Sequence, residues 1–139
     1  MTGADVVAAA RSMIGTPWQH QARLPGRALD CAGLIICTAR ALGVFPQDFD
    51  INGYRRQPDG TMLSICDQYM QRIDAFEEGA VLSLAIERDP QHMGIVALYR
   101  HGGWSIVHAA SAAGRVVETR LMFARNMTLR GIFRMPGVA

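Results

Sequence analysis

The chain contains no lysine; all fourteen of its basic residues are arginine. Against twelve acidic residues this leaves a net charge of only +2 over 139 residues. That balance is too small to grip a phosphate backbone, so nucleic acid is not expected as a partner. Arg115, Arg120, Arg125, Arg130 and Arg134 make the C-terminal quarter locally basic, which reads as a solvated set of strand edges and loops. Cysteine is scarce too. Cys31, Cys37 and Cys66 are odd in number, and neither a CxxC pair nor a Cys/His cluster at zinc-ligand spacing occurs. These absences argue against a disulfide framework and a structural zinc site. Nowhere do roughly 18 apolar residues run together, so no membrane insertion is expected. The first residues, "MTGADVVAAARSMIG", lack a basic n-region and a continuous apolar stretch, and so do not read as a signal peptide. Repeats and low-complexity tracts are missing. Half the residues are hydrophobic, enough for one core, and 1–139 reads as a single domain.

What is present falls into two textures. Residues 2–14 carry a helix signal, with Thr2 and Asp5 spaced as a capping box and Val6, Val7, Ala10, Met13 and Ile14 forming an apolar stripe. Gly15-Thr16-Pro17 ends it, and 16–29 read as a loop rich in Pro, Gly and Arg. Asp30 is a good N-cap for a second, largely buried helix running through "CAGLIICTARAL" to Gly43. A long loop over 44–60 and a short helix over 61–72, with Thr61 near its cap, follow. From residue 79 the runs are short and apolar: 79–86, 92–99, 104–110, 115–121 and 128–135, separated by glycines, an Asp-Pro pair and charged clusters. Helices first and about five strands after, without βαβ alternation, predict an α+β fold with an antiparallel sheet.

The stretch "LDCAGLI" carries the chemistry. A thiol acts as a nucleophile through its thiolate, and a helix N-terminus favours the thiolate through unpaired N–H groups and the positive dipole end. Cys31 directly follows the N-cap and feels that field, whereas Cys37 and Cys66 lie inside helices and read as core. A thiol nucleophile also needs a base, and the base needs a group to hold its tautomer. His92 opens one strand and His108 lies late in the next, so both can serve; His20 and His101 fall in a loop and a turn. A lone histidine in an apolar strand is ordinarily a hydrogen-bonded core residue. Two on successive strands, downstream of a helix-starting Asp-Cys, favour a site. Strand parity sharpens the requirement: the two rings share a face only if the hairpin is centred on a residue, Arg100 or His101, through an odd loop or a bulge at Gly102-Gly103.

"ARSMIGTPWQHQ" (10–21), "LDCAGLI" (29–35), "GAVLSL" (79–84), "QHMGIVALY" (91–99) and "SIVHAAS" (105–111) together resemble, in order and spacing, the NlpC-type cell-wall cysteine peptidases. "GTPWQHQA" is most similar to the branch found in phage tails and gene-transfer agents. The resemblance covers about residues 4–136. It implies a compact papain-like fold, with the nucleophile at a helix start packed on the C-terminal sheet. It also implies a Cys31 nucleophile, a His92 base and His108 as the orienting third residue, without metal or cofactor. The substrate it implies is the peptide of peptidoglycan, typically cut after γ-D-glutamate; the implied partners are phage tail-tip or hub proteins, and the setting a virion tail acting at the cell wall. Trp18 stands where the family commonly has a tyrosine and is a candidate substrate contact. Asp30 is the N-cap and a second such candidate. Ala32 replaces a frequent serine.

Two other readings compete. A tail-tip building block could keep the peptidase fold with weak or lost chemistry, a reading that Trp18 keeps open. An acyltransferase or amidase on the same thiol fold is disfavoured by chain order, because some relatives that act on lipids place histidine before cysteine, whereas here Cys31 precedes His92 and His108.

Overall fold

Residues 1–51, 60–86, 91–122 and 127–139 are described by the computed structural model. The elements run α1 (Gly3–Arg11), β1 (Arg23–Leu24), β2 (Ala28–Leu29), α2 (Cys31–Ala41), α3 (Thr61–Tyr69), β3 (Gln71–Ile73), β4 (Val81–Ile86), β5 (His92–Leu98), β6 (Trp104–Ala110), β7 (Arg115–Arg120) and β8 (Met127–Arg134). Parts of the expected loop at 44–60, the Asp-Pro pair and Arg125 lie outside the described residues.

The capping box forms as expected. Thr2 Oγ1 accepts from the Asp5 N–H, and the Asp5 carboxylate accepts from the Thr2 N–H at 2.8 Å. The helix stops at Arg11 rather than near residue 14, where Ser12 caps it and donates its hydroxyl to the Ala9 carbonyl. In α2 every residue from Cys31 to Ala39 is buried, which is why its apolar arc runs nearly all the way round.

All strand pairs are antiparallel, and the main sheet has the order β3-β8-β4-β5-β6-β7. It holds six strands where about five are expected from the apolar runs alone. The extra strand, β3, occupies what reads as the tail of the third helix. Met70 turns extended (φ −131°, ψ 161°) and releases three mostly exposed residues to pair with β8. A three-residue polar strand has too few positions to reveal its period. The loop at 16–29 also folds back on itself, as the two-residue ladder of β1 and β2.

Each sheet face has its own apolar cluster. Met93, Ile95, Ala97, Val107 and Ala109 face α1 and α2, packing with Val6, Ala10, Leu34 and Ile35. On the opposite face Leu82, Leu84, Val96, Ile106 and Ile132 form a smaller cluster flanked by Phe76, Trp104 and Leu121. Each fully buried valine, leucine or isoleucine of these clusters contributes about 1.5–3 kcal/mol. A forked ion pair ties α1 to the sheet. Arg11 donates to both Glu118 oxygens at 2.8 and 2.9 Å, and Ser105 donates to the same carboxylate at 2.6 Å. No helix among the described residues is long and apolar enough to cross a membrane.

Candidate active site

The site begins with a buried carboxylate. Asp30 is 2% exposed and holds extended backbone angles, as an N-cap should. Its Oδ1 accepts from the Gly33 N–H at 2.7 Å and from the Arg23 guanidinium at 3.0 Å. Its Oδ2 accepts from the Gln21 N–H at 2.7 Å and lies 3.9 Å from His20 Nδ1. Gln21 makes that bond from a left-handed conformation (φ 61°), the only positive φ outside glycine among the described residues. One side chain thus caps α2 and holds the loop that leads into it. Gly33 makes room for that loop: a Cβ there would stand 2.3 Å from the Ala22 carbonyl oxygen.

Cys31 is the first residue of α2, 8% exposed, and its thiol donates to the Gln91 carbonyl at 3.7 Å. The sulfur therefore rests against the residue that precedes His92. Gln91 reaches the other way with its side chain, whose Oε1 accepts from the Met62 N–H at 3.0 Å near the start of α3.

The two strand histidines do share a face. Leu98 pairs with Trp104 and Val96 with Ile106, a register centred on His101. The parity requirement is met by a turn in which Tyr99 and Gly103 bond and Gly102 and Gly103 take positive φ. His92 Nε2 and His108 Nδ1 are 2.7 Å apart, with ring planes inclined at 69°. His108 Nε2 lies 3.4 Å from the Thr119 hydroxyl on β7. His92 is 1% exposed and His108 9%. Gly94 lies between them in this layer. A Cβ there would meet Ile106 Cδ1 at 2.4 Å and His108 Cβ at 3.2 Å, so only a bare backbone lets these side chains settle across β5.

Trp18 is half-buried and strapped beside the helix start. Its backbone N–H donates to the Gly114 carbonyl at 2.8 Å, and its backbone bridges to Leu29 in parallel fashion. The other two thiols lie in the core. Burial pushes Cys37 up from its ordinary value and Cys66 up to about 12, so both stay protonated and inert. His101 sits in the β5–β6 turn against Tyr99 and Arg100.

Sequence reasoning missed Gln91, Gly94 and Thr119. Glycine in a strand is a legible signal of close approach. The reach of Thr119 depended on the β6–β7 register, in which Thr119 pairs with Ile106. It also missed Arg23, whose guanidinium joins Asp30 to Asp50 (2.7 Å) and to the Ile51 carbonyl (2.7 Å).

Helices bearing a cysteine at a helix start, packed on an antiparallel sheet bearing two facing histidines, make a papain-like α+β arrangement. No family model and no curated protein matches the chain. Solved structures do. NlpC1 from Trichomonas vaginalis superposes with a TM-score of 0.69 at 18% identity, over 96% of this chain and 44% of that one. NlpC2 from the same organism gives 0.68 at 15% identity, over 96% and 46%. The NlpC/p60 domain of the peptidoglycan hydrolase SagA gives 0.64 at 19% identity, over 97% of this chain and 100% of that domain. The chain therefore has the fold of NlpC/p60 domains, and it spans less than half the length of the two Trichomonas chains.

Proposed function

We propose that the chain is a cysteine peptidase acting on the peptide moieties of peptidoglycan, with Cys31 as nucleophile, His92 as base and His108 as the residue that holds the base. The observation that carries this reading is the 2.7 Å contact between His92 Nε2 and His108 Nδ1, next to a helix-starting thiol that rests on the Gln91 carbonyl. With Nε2 engaged by His108, Nδ1 of His92 is the nitrogen for the Cys31 proton. His92 takes that proton, and the sulfur attacks the scissile carbonyl. N–H groups at the start of α2 and the helix dipole stabilise the oxyanion. His92 then protonates the leaving amine, and a water activated by the same ring hydrolyses the thioacyl-enzyme. His108 accepts from the Nε2–H of the charged imidazole, which requires its own proton on Nε2, directed at Thr119. Asp30 serves by fixing the helix start and the entry loop, its oxygens being engaged within the chain; Trp18 lines the substrate side.

Within this reading the bond cut follows γ-D-glutamate, and the setting is a phage tail that opens the wall at entry, as the "GTPWQHQA" segment suggests. The fold shared with SagA supports the substrate class. Mass spectrometry of defined muropeptides, incubated with wild-type protein and with Cys31→Ala, tests the proposal. Fragments from wild type alone are expected, and their masses name the bond. Intact muropeptides, with Cys31 shown to be reduced and reactive, would refute the reading and favour a tail-tip module without chemistry.

A further inference from the structure

We infer that Arg130 forms a carboxylate-binding subsite beside the proposed active site; the inference rests on the peptide-cleaving reading above for its ligand. β8 pairs with β4 out of step at one place: Ser83 faces Gly131, but Leu84 faces Leu129. Arg130 is the extra residue of that β-bulge, and such an insertion re-aims a side chain away from the regular ladder. It turns to a pocket lined by Gly60, Met62, Ser83, Leu84 and Gln91.

Three features of this pocket favour an anion. The Arg130 guanidinium is exposed and makes no ion pair or hydrogen bond with any described residue, whereas Arg11, Arg23, Arg72 and Arg134 all pair with carboxylates. Ser83, only 3% exposed, lines the pocket with a hydroxyl that bonds to no described side chain or backbone group. Gly60 caps α3 without a side-chain bond, and the first turn of that helix holds no acidic residue; Gln91 Oε1 accepts from its Met62 N–H as a neutral partner, which leaves the positive end of the helix without a carboxylate among the described residues of that turn. An arginine, a hydroxyl and a helix start converging on one pocket make a forked, charge-assisted cradle for a carboxylate. Gln91 links this cradle to the chemistry: it lines the pocket while its carbonyl receives the Cys31 thiol. A peptide lying across Cys31 would thus place a carboxylate, internal or C-terminal, on Arg130.

The test uses the full chain as Cys31→Ala, which can bind peptide without turnover, and the same protein carrying Arg130→Ala or Arg130→Lys. Calorimetry compares three synthetic stem peptides: one with free carboxylates, one amidated at the internal carboxylate and one amidated at the C-terminus. We expect one amidated peptide to bind at least tenfold more weakly, which names the carboxylate. Arg130→Ala should erase that discrimination and Arg130→Lys retain part of it. Equal binding of all three, or discrimination that survives Arg130→Ala, overturns the subsite. Glutarate is a probe independent of the peptide reading. It should shift the Arg130 Nε–H resonance, and glutaramide should not. If glutarate shifts it and no peptide binds, the peptide reading falls and the subsite stands. If glutarate leaves it unmoved and no peptide binds, the subsite falls as well.

Discussion

Replacing Gly33 with alanine sets two opposing effects against each other. In an isolated helix the change would be favourable by about 1 kcal/mol, because glycine is the more costly residue. Here the new Cβ would stand 2.3 Å from the Ala22 carbonyl oxygen, 3.2 Å from Asp30 Oδ1 and 3.3 Å from the Arg23 guanidinium. The nearest of these atoms is backbone, so no rotamer relieves it, and the loop must retreat by about 1 Å to reach ordinary contact. Overpacking of this kind costs about 1–3 kcal/mol. The retreat also stretches the bonds that Asp30 accepts from Gln21 and Arg23, each worth about 1.5–3 kcal/mol because the acceptor is charged. The clash and the weakened bonds outweigh the propensity gain, leaving a net loss of about 2 kcal/mol, or a melting temperature lower by roughly 8 °C for a chain of this size. Thermal melts followed by circular dichroism measure the stability, and the alkylation rate of Cys31 by iodoacetamide reports whether the helix start has moved. A variant that melts at or above wild type, with Cys31 alkylated at the same rate, would refute the reasoning that Gly33 exists to admit the loop.

Other expectations follow from the same geometry. Gly94→Ala should drive Ile106 and His108 off β5 and lower stability by about 1–3 kcal/mol; peptide-cleavage kinetics should show a lower kcat with little change in KM, and an unchanged kcat counts against it. Native protein treated with iodoacetamide near pH 8 should take a single label, on Cys31, with Cys37 and Cys66 labelled only after unfolding; peptide mapping that finds Cys66 labelled in the folded chain contradicts the burial argument. The Arg11 bond holds Glu118 below the ordinary glutamate range, helped by Ser105. Its contribution is therefore fully present above the unfolded value near 4.5 and disappears as pH falls through the lower folded value. Glu118→Gln should flatten the acid limb of the stability profile, and an acid limb as steep as wild type's in urea titrations speaks against the pair.

The helix start was legible because its signals are local. Asp30 and Cys31 declare a cap and the residue after it, and the cap forms with the expected Asp30–Gly33 bond. The shared face of His92 and His108 was legible as a condition, since strand parity admits only two outcomes; the turn chemistry at Gly102-Gly103 decided between them. What stayed hidden depends on non-local register. Nothing in "QRI" announces that β8 will leave β7 and insert between β3 and β4. The bulge at Arg130 arises from the pairing of β8 with β4, 47 positions from Ser83 in sequence, and no window around Arg130 contains it. Arg23 was hidden for the same reason, because its partners Asp30, Asp50 and Ile51 come from three separate segments.

The turn at residues 99–103 imposes a rule on how this chain can change length. Because β5 and β6 pair about His101, one inserted residue in a regular ladder would carry His108 to the helix side and leave His92 facing empty register. Two inserted residues would restore it. Insertions and deletions that keep the turn at its present length are therefore counted in pairs, unless a longer loop or a new bulge absorbs the odd residue. The loop is free to vary in sequence and in reach, yet the register it delivers to β5 and β6 is held to a parity by two rings nine and seven residues away from its centre.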